Sequence, residues 1–186
     1  MHKAYLDTEF TTLNQYTYKL ISLALVVPHG PELYVELTDS WHESDCSDFV
    51  LEIVLPQLDL GTYGRTTEQA RTELLDFLGA LGPVEIISDA PHWDWPLLVW
   101  LAGPTGLPET VTQGDIRSDI EVAYCGAEPP HHALDDARLL ADLLESLRPI
   151  DDRKKFTKIP VTYEQAGRPR LQSCNRRAIF LTGVTG

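Results

Sequence analysis

Three apolar stretches near the N-terminus are spaced as neighbouring strands, and they commit this chain to building a sheet first. Residues 3–8 read as one strand and residues 18–27 as a second, rich in β-branched and large apolar side chains. Pro28-His29-Gly30-Pro31 then punctuates a turn into a third strand over residues 32–37, which makes an antiparallel meander.

The period changes after the meander. Residues 49–58 read as a short helix interrupted at Pro56. A clearer helix follows. Thr66-Thr67-Glu68-Gln69 offers a capping box, Ala70, Leu74, Leu75, Leu78 and Leu81 recur at helical spacing, and Gly82-Pro83 stops the run. Residues 84–88 read as a strand, and residues 97–101 as part of a helix that starts near Asp94 and ends at Gly103-Pro104. Leu134, Ala137, Leu140, Ala141, Leu144 and Leu147 mark an amphipathic helix that Pro149 closes. A meander followed by alternating helices and strands predicts an α/β fold, a mixed sheet flanked by helices.

Length and charge set the remaining bounds. With 186 residues the chain fits one domain over residues 1–150, followed by an extension over residues 151–186. That extension is basic: Arg153, Lys154, Lys155, Lys158, Arg168, Arg170, Arg176 and Arg177 face only Asp151, Asp152 and Glu164. It reads as solvated and flexible, or as an arm that guides a substrate. The whole chain carries a net charge of -13, which argues against a nonspecific duplex binder relying on Lys and Arg. No apolar run approaches the roughly 20 residues of a membrane span, and the N-terminus carries acids where a signal peptide is apolar, so a cytoplasmic protein is expected. Cys46, Cys125 and Cys174 are scattered, which suits free thiols better than a disulfide framework or a zinc site.

Three segments carry the chemistry. In Leu6-Asp7-Thr8-Glu9-Phe10, strand alternation puts Asp7 and Glu9 on one face, where two carboxylates can hold a hard cation. Asp94 precedes Trp95-Pro96 and an apolar run, the pattern of a helix N-cap, and a carboxylate there can also serve as a ligand. Asp89 competes with it but ranks lower, since Ala90-Pro91 is expected to turn the chain away. His131 follows Pro129-Pro130 on a loop, and Asp136 falls in the first turn of the next helix. Each segment alone has an ordinary reading, as a salt-bridged pair, a cap, or acids facing a helix dipole.

Taken together, Asp7 and Glu9, Trp93-Asp94, and His131 with Asp136 in His-His-Ala-Leu-Asp-Asp-Ala-Arg resemble the three motifs of the DEDDh 3'-5' exonucleases, in order and at similar separations. The resemblance covers roughly residues 3 to 147 and looks closest to small bacterial exoribonucleases of the mycobacterial type. Two departures stand out: the second motif lacks the usual Asn, and Thr11-Thr12-Leu13 replaces the common Thr-Gly.

The resemblance implies a ribonuclease H-like fold. It also implies Asp7, Glu9, Asp94, His131 and Asp136 as catalytic residues. The four carboxylates would hold two divalent cations, Mg2+ or Mn2+, about 3.5–4 Å apart. His131 would act as general base, leaving His132 exposed and dispensable. Phe10, Leu13 and Trp93 would contact the terminal nucleotide by stacking or wedging. Expected partners are single-stranded RNA or DNA 3' ends, RNA before DNA, or short oligonucleotides, and a homodimer, since similar small exonucleases often pair. The product would be nucleoside 5'-monophosphates. The non-enzymatic alternative is a catalytically weak nucleic-acid-binding or scaffold domain on the same fold.

Overall fold

Strand β1 (His2–Phe10) is the axis of the sheet, and its two edges are used unequally. It pairs antiparallel with β2 (Leu20–Val26) from Tyr5 to Phe10, but parallel with β5 (Val84–Ile87) only from His2 to Tyr5. The β5 side of Asp7 and Glu9 is therefore open, because β5 has ended. A register shift between Glu9 and Phe10 marks the same strand end, a common device for re-aiming a side chain.

This is a computed structural model that describes residues 1–114 and 130–146. They belong to one compact unit, Met1–Arg148. Strand β3 (Glu32–Leu37) spans the expected residues and completes the antiparallel meander. With β4 (Gly64–Arg65) and β6 (Val111–Gln113), the sheet has six strands among the described residues, in the order β4-β3-β2-β1-β5-β6. Its edges are β4 and β6, both added in parallel and both too short to leave a hydrophobic pattern. The mixed α/β sheet flanked by helices is the architecture expected from the sequence.

Helices cover both faces. After a single turn, α1 (Leu60–Tyr63), comes α2 (Thr67–Leu81), which starts at the expected capping box: Thr66 Oγ1 accepts from Gln69 N, and Gln69 Oε1 accepts from Thr66 N. With α3 (Pro91–Ala102) it packs Ala70, Leu74, Leu78, Leu97, Leu98 and Leu101 against Ala4, Leu6, Leu23 and Leu25. Helix α4 (Ala133–Ser146) lies on the opposite face, against Tyr5, Ala24 and Tyr34. Alternation along β1 thus sends Leu6 and Thr8 toward α2 and α3, and Asp7 and Glu9 toward α4.

Two helical boundaries differ from expectation. Residues 49–58 form a π-helical turn, Val50–Val54, then a 3₁₀ turn, Leu55–Gln57, with Val50 and Val54 docked on Ile21. Helix α3 begins at Pro91, so Asp94 is not its N-cap. Pro suits the first helical position because its missing N–H has no partner there anyway, and Asp94 N already bonds Ala90 O at 3.1 Å. The extension over residues 151–186, together with Leu147, Pro149, Cys125 and Cys174, lies outside the described residues. Among the described residues no helix is long and apolar enough to cross a membrane.

Candidate metal centre

Asp7 and Glu9 sit opposite Ala24 and Ser22 of β2, whose small side chains leave room above them. Asp136, in the first turn of α4, descends onto this space from above. Its Oδ2 accepts a hydrogen bond from His132 N at 3.0 Å, while its Oδ1 is buried with no partner among the described residues. Asp94 arrives from the opposite face, past the end of β5. Thr8 Oγ1 donates to Asp94 Oδ1 at 2.5 Å and Ser88 Oγ donates to Oδ2, so both carboxylate oxygens are clamped by buried hydroxyls. Thr8, lying between the two acids and pointing the other way, is the anchor for the third.

The four predicted carboxylates are therefore brought together. Oxygens of Asp7, Glu9 and Asp136 lie within 4.8 Å of one another, and so do those of Asp7, Asp89 and Asp94. Asp7 belongs to both groups. Asp89 corrects an expectation: the turn after β5 does not carry it away, because α3 starts at Pro91 and folds Asp89 and Asp94 onto the same strand end.

Gathering these charges raises their proton affinity. Burial, then repulsion from Asp94 and Glu9, holds Asp7 well above the usual carboxylate range. Burial, then Asp136 and Asp94, pushes Glu9 up to about 8. Asp94 rises to about 7 by burial, against the lowering effect of its Ser88 and Thr8 hydrogen bonds. Asp136 rises to about 6 by burial, against the His132 backbone bond and the His131 charge. Among the described residues no Lys or Arg relieves them. The five Lys and Arg side chains among the described residues are engaged elsewhere: Lys3 with Glu85, Lys19 with Asp45, Arg65 with Glu73, Arg138 with Glu32 and Asp135, and Arg71 with Leu101 O. A buried carboxylate oxygen without a donor among the described residues, in an all-oxygen cluster that no described Lys or Arg neutralises, fits a hard divalent cation.

The histidines divide differently from expectation. His131 has φ 58 just before α4, its ring meets Phe49 edge-on at 4.9 Å, and its carbonyl accepts from Gln57 Nε2. It lies close enough to Asp136 for its charge to lower that proton affinity. His132 is not the exposed spare that the sequence suggested: its Nε2 lies 3.0 Å from Tyr34 Oη and its ring packs on Tyr34. Helix α4 turns that side chain inward over the sheet, a direction that two adjacent loop histidines do not reveal.

Beside Asp94, Phe10 and Trp93 stack at 5.4 Å, and Tyr18 meets both edge-on. Leu13 stands on the neighbouring loop, 63% exposed. Tyr18, Thr8 and Ser88 were missed from sequence, and Asp89 was ranked below Asp94. Only Thr8 left a signal, as the outward position between two inward acids.

No protein-family model and no curated protein matches the chain. Among solved structures it is similar to the crystal structure of a full-length 3'-exonuclease, with a TM-score of 0.51 and 14% identity over 78% of this chain and 80% of that one. A likeness at that identity establishes a shared fold.

Proposed function

We propose that this chain is a metal-dependent 3'-5' exonuclease of the DEDDh type on a ribonuclease H-like fold. The observation that carries the reading is the pair of carboxylate groups that share Asp7, the arrangement needed to hold two cations side by side. The fold shared with a 3'-exonuclease supports it.

In this reading Asp7, Glu9, Asp94 and Asp136 hold two divalent ions, Mg2+ or Mn2+. When bound, these supply the positive charge that a scissile phosphate and an attacking water require. His131 removes the water's proton from its position at the head of α4. Thr8 and Ser88 keep the Asp94 carboxylate from rotating. Phe10 and Trp93 offer a flat face to the terminal base, and Leu13 a wedge beside it. The product is a nucleoside 5'-monophosphate.

The substrate is a single-stranded 3' end or a short oligonucleotide, RNA before DNA. Engagement of every described Lys and Arg favours short contacts near the cut, because longer polynucleotide contacts depend on free cations. The test is a cleavage ladder from 5'-labelled RNA and DNA oligomers in Mg2+, Mn2+ or chelator. Stepwise shortening from the 3' end in the metal arms alone is expected, and Asp7→Asn should abolish it. Intact oligomers in every arm, with binding retained, would replace this reading with the scaffold alternative.

A further inference from the structure

Glu36 is a carboxylate in the middle of the sheet with no exposed surface. Burying an acid among strands is expensive unless its oxygens are bonded, and none of the engaged Lys and Arg partners is directed to it. Its Oε1 instead accepts from Tyr34 Oη at 2.8 Å and from Asp59 N at 3.0 Å, while its Oε2 has no partner among the described residues. The cross-strand register runs Glu9, Ser22, Glu36, so this acid lies two strands away from the metal centre on the same face.

We propose that Glu36, Tyr34 and His132 form a buried positioning chain that fixes the Asp136 carboxylate for cation binding. Tyr34 has a single hydroxyl proton, and it is given to Glu36. Toward His132 Nε2, 3.0 Å away, the same hydroxyl oxygen can only accept. His132 Nε2 therefore carries a proton and donates it to Tyr34. The phenol remains the donor to Glu36 because burial, then its hydrogen bond to that acid, pushes it above its usual range.

Packing reinforces the geometry. The His132 ring lies 5.0 Å from the Tyr34 ring, which Tyr63 also meets at 4.9 Å, so the imidazole is held by contact as well as by its hydrogen bond. A pinned imidazole pins its own backbone, and His132 N is the donor to Asp136 Oδ2. With Oδ2 held by that bond, the buried Oδ1 is the oxygen without a partner among the described residues and is left for a cation. His132 thereby acts through Asp136, and Glu36 and Tyr34 act through His132.

This inference rests on the cation site proposed above, so the test reads cation binding without turnover. Mn2+ affinity of the full chain is measured by titration calorimetry for wild type, Tyr34→Phe, His132→Leu and His132→Gln, beside melting temperature and near-ultraviolet circular dichroism. Tyr34→Phe keeps the ring and loses the hydroxyl. It should weaken Mn2+ binding about 10-fold, the lower end of what partners of metal ligands contribute, with the folded spectrum retained. His132→Leu should do the same. His132→Gln, whose amide N–H can still donate to Tyr34, should restore affinity to near wild type. A wild type that binds while every variant binds equally well would overturn the chain and leave the cation site standing. Failure of His132→Gln to recover more affinity than His132→Leu would also overturn it. A wild type that binds no Mn2+ would remove the site and the chain together.

Discussion

Glu9→Gln should stabilise the metal-free protein while removing its response to metal. In the folded chain Glu9 releases its proton at about 8 instead of 4.5, chiefly because of burial, then Asp136 and Asp94. A carboxyl with a raised folded pKa holds more protons in the native than in the unfolded state between those values, so stability falls as pH climbs from about 4.5 to about 8. At ~1.4 kcal/mol per tenfold change in proton affinity, the full span corresponds to about 5 kcal/mol. Part of Glu9 faces solvent, where screening weakens such terms, and we take about half, ~2–3 kcal/mol. Gln has the same shape and no charge. At roughly 2–4 °C per kcal/mol for a chain of this size, the substitution should raise the melting temperature in chelator by about 5–10 °C at pH 8.5, and by almost nothing at pH 4.5. Wild type should gain on adding Mn2+ at pH 8.5, by about 2.7 kcal/mol at 100 times the dissociation constant, whereas Glu9→Gln should gain far less. Thermal melts from pH 4.5 to 9, with chelator or Mn2+, decide the matter. A Glu9→Gln protein that melts below wild type in chelator at pH 8.5 would refute the reasoning, since it would mean that the carboxylate is already compensated by protein groups.

Other perturbations address the remaining parts of the site. Asp94→Asn should abolish oligonucleotide cleavage, and Asp89→Asn should cause a smaller loss because Asp89 is exposed while Asp94 is buried and clamped; a reversed order in single-turnover assays would exchange their roles. His131→Ala should lower turnover by roughly 10²–10⁴-fold with Mn2+ affinity nearly intact, the signature of a lost general base; a matching loss of affinity by calorimetry would make it a ligand or a structural residue instead. Thr8→Val removes a hydrogen bond that lowers the Asp94 proton affinity, so Asp94 should ionise above about 7 and the rise of activity with pH should move upward. Loss of that buried, charge-assisted bond should also lower stability by about 1.5–3 kcal/mol in denaturant melts. An unchanged pH profile would show that Thr8 does not govern Asp94.

Local rules determined a good part of this molecule. The capping box at Thr66, the helix stop at Gly82 and the strand over Glu32–Leu37 depend on neighbours a few residues away, and the structure has them where the sequence put them. The period of two along β1 was enough to place Asp7 and Glu9 on one face, and the period of α4 to set Asp136 in its first turn with Leu140 and Leu144 turned to the core. Tertiary structure decided what those positions meet. The early end of β5 opens one side of β1, and Asp89 and Asp94 fold back onto that opening. The packing of α4 over β1 and β2 brings His132 onto Tyr34, and Glu36 is buried two strands from the centre. Strands β4 and β6 are too short to have any periodicity, so they exist only through the neighbours they pair with. The division has one physical cause. Backbone propensity and side-chain alternation act over a turn or a strand, whereas the convergence of carboxylates depends on where distant elements stop and which faces they bury.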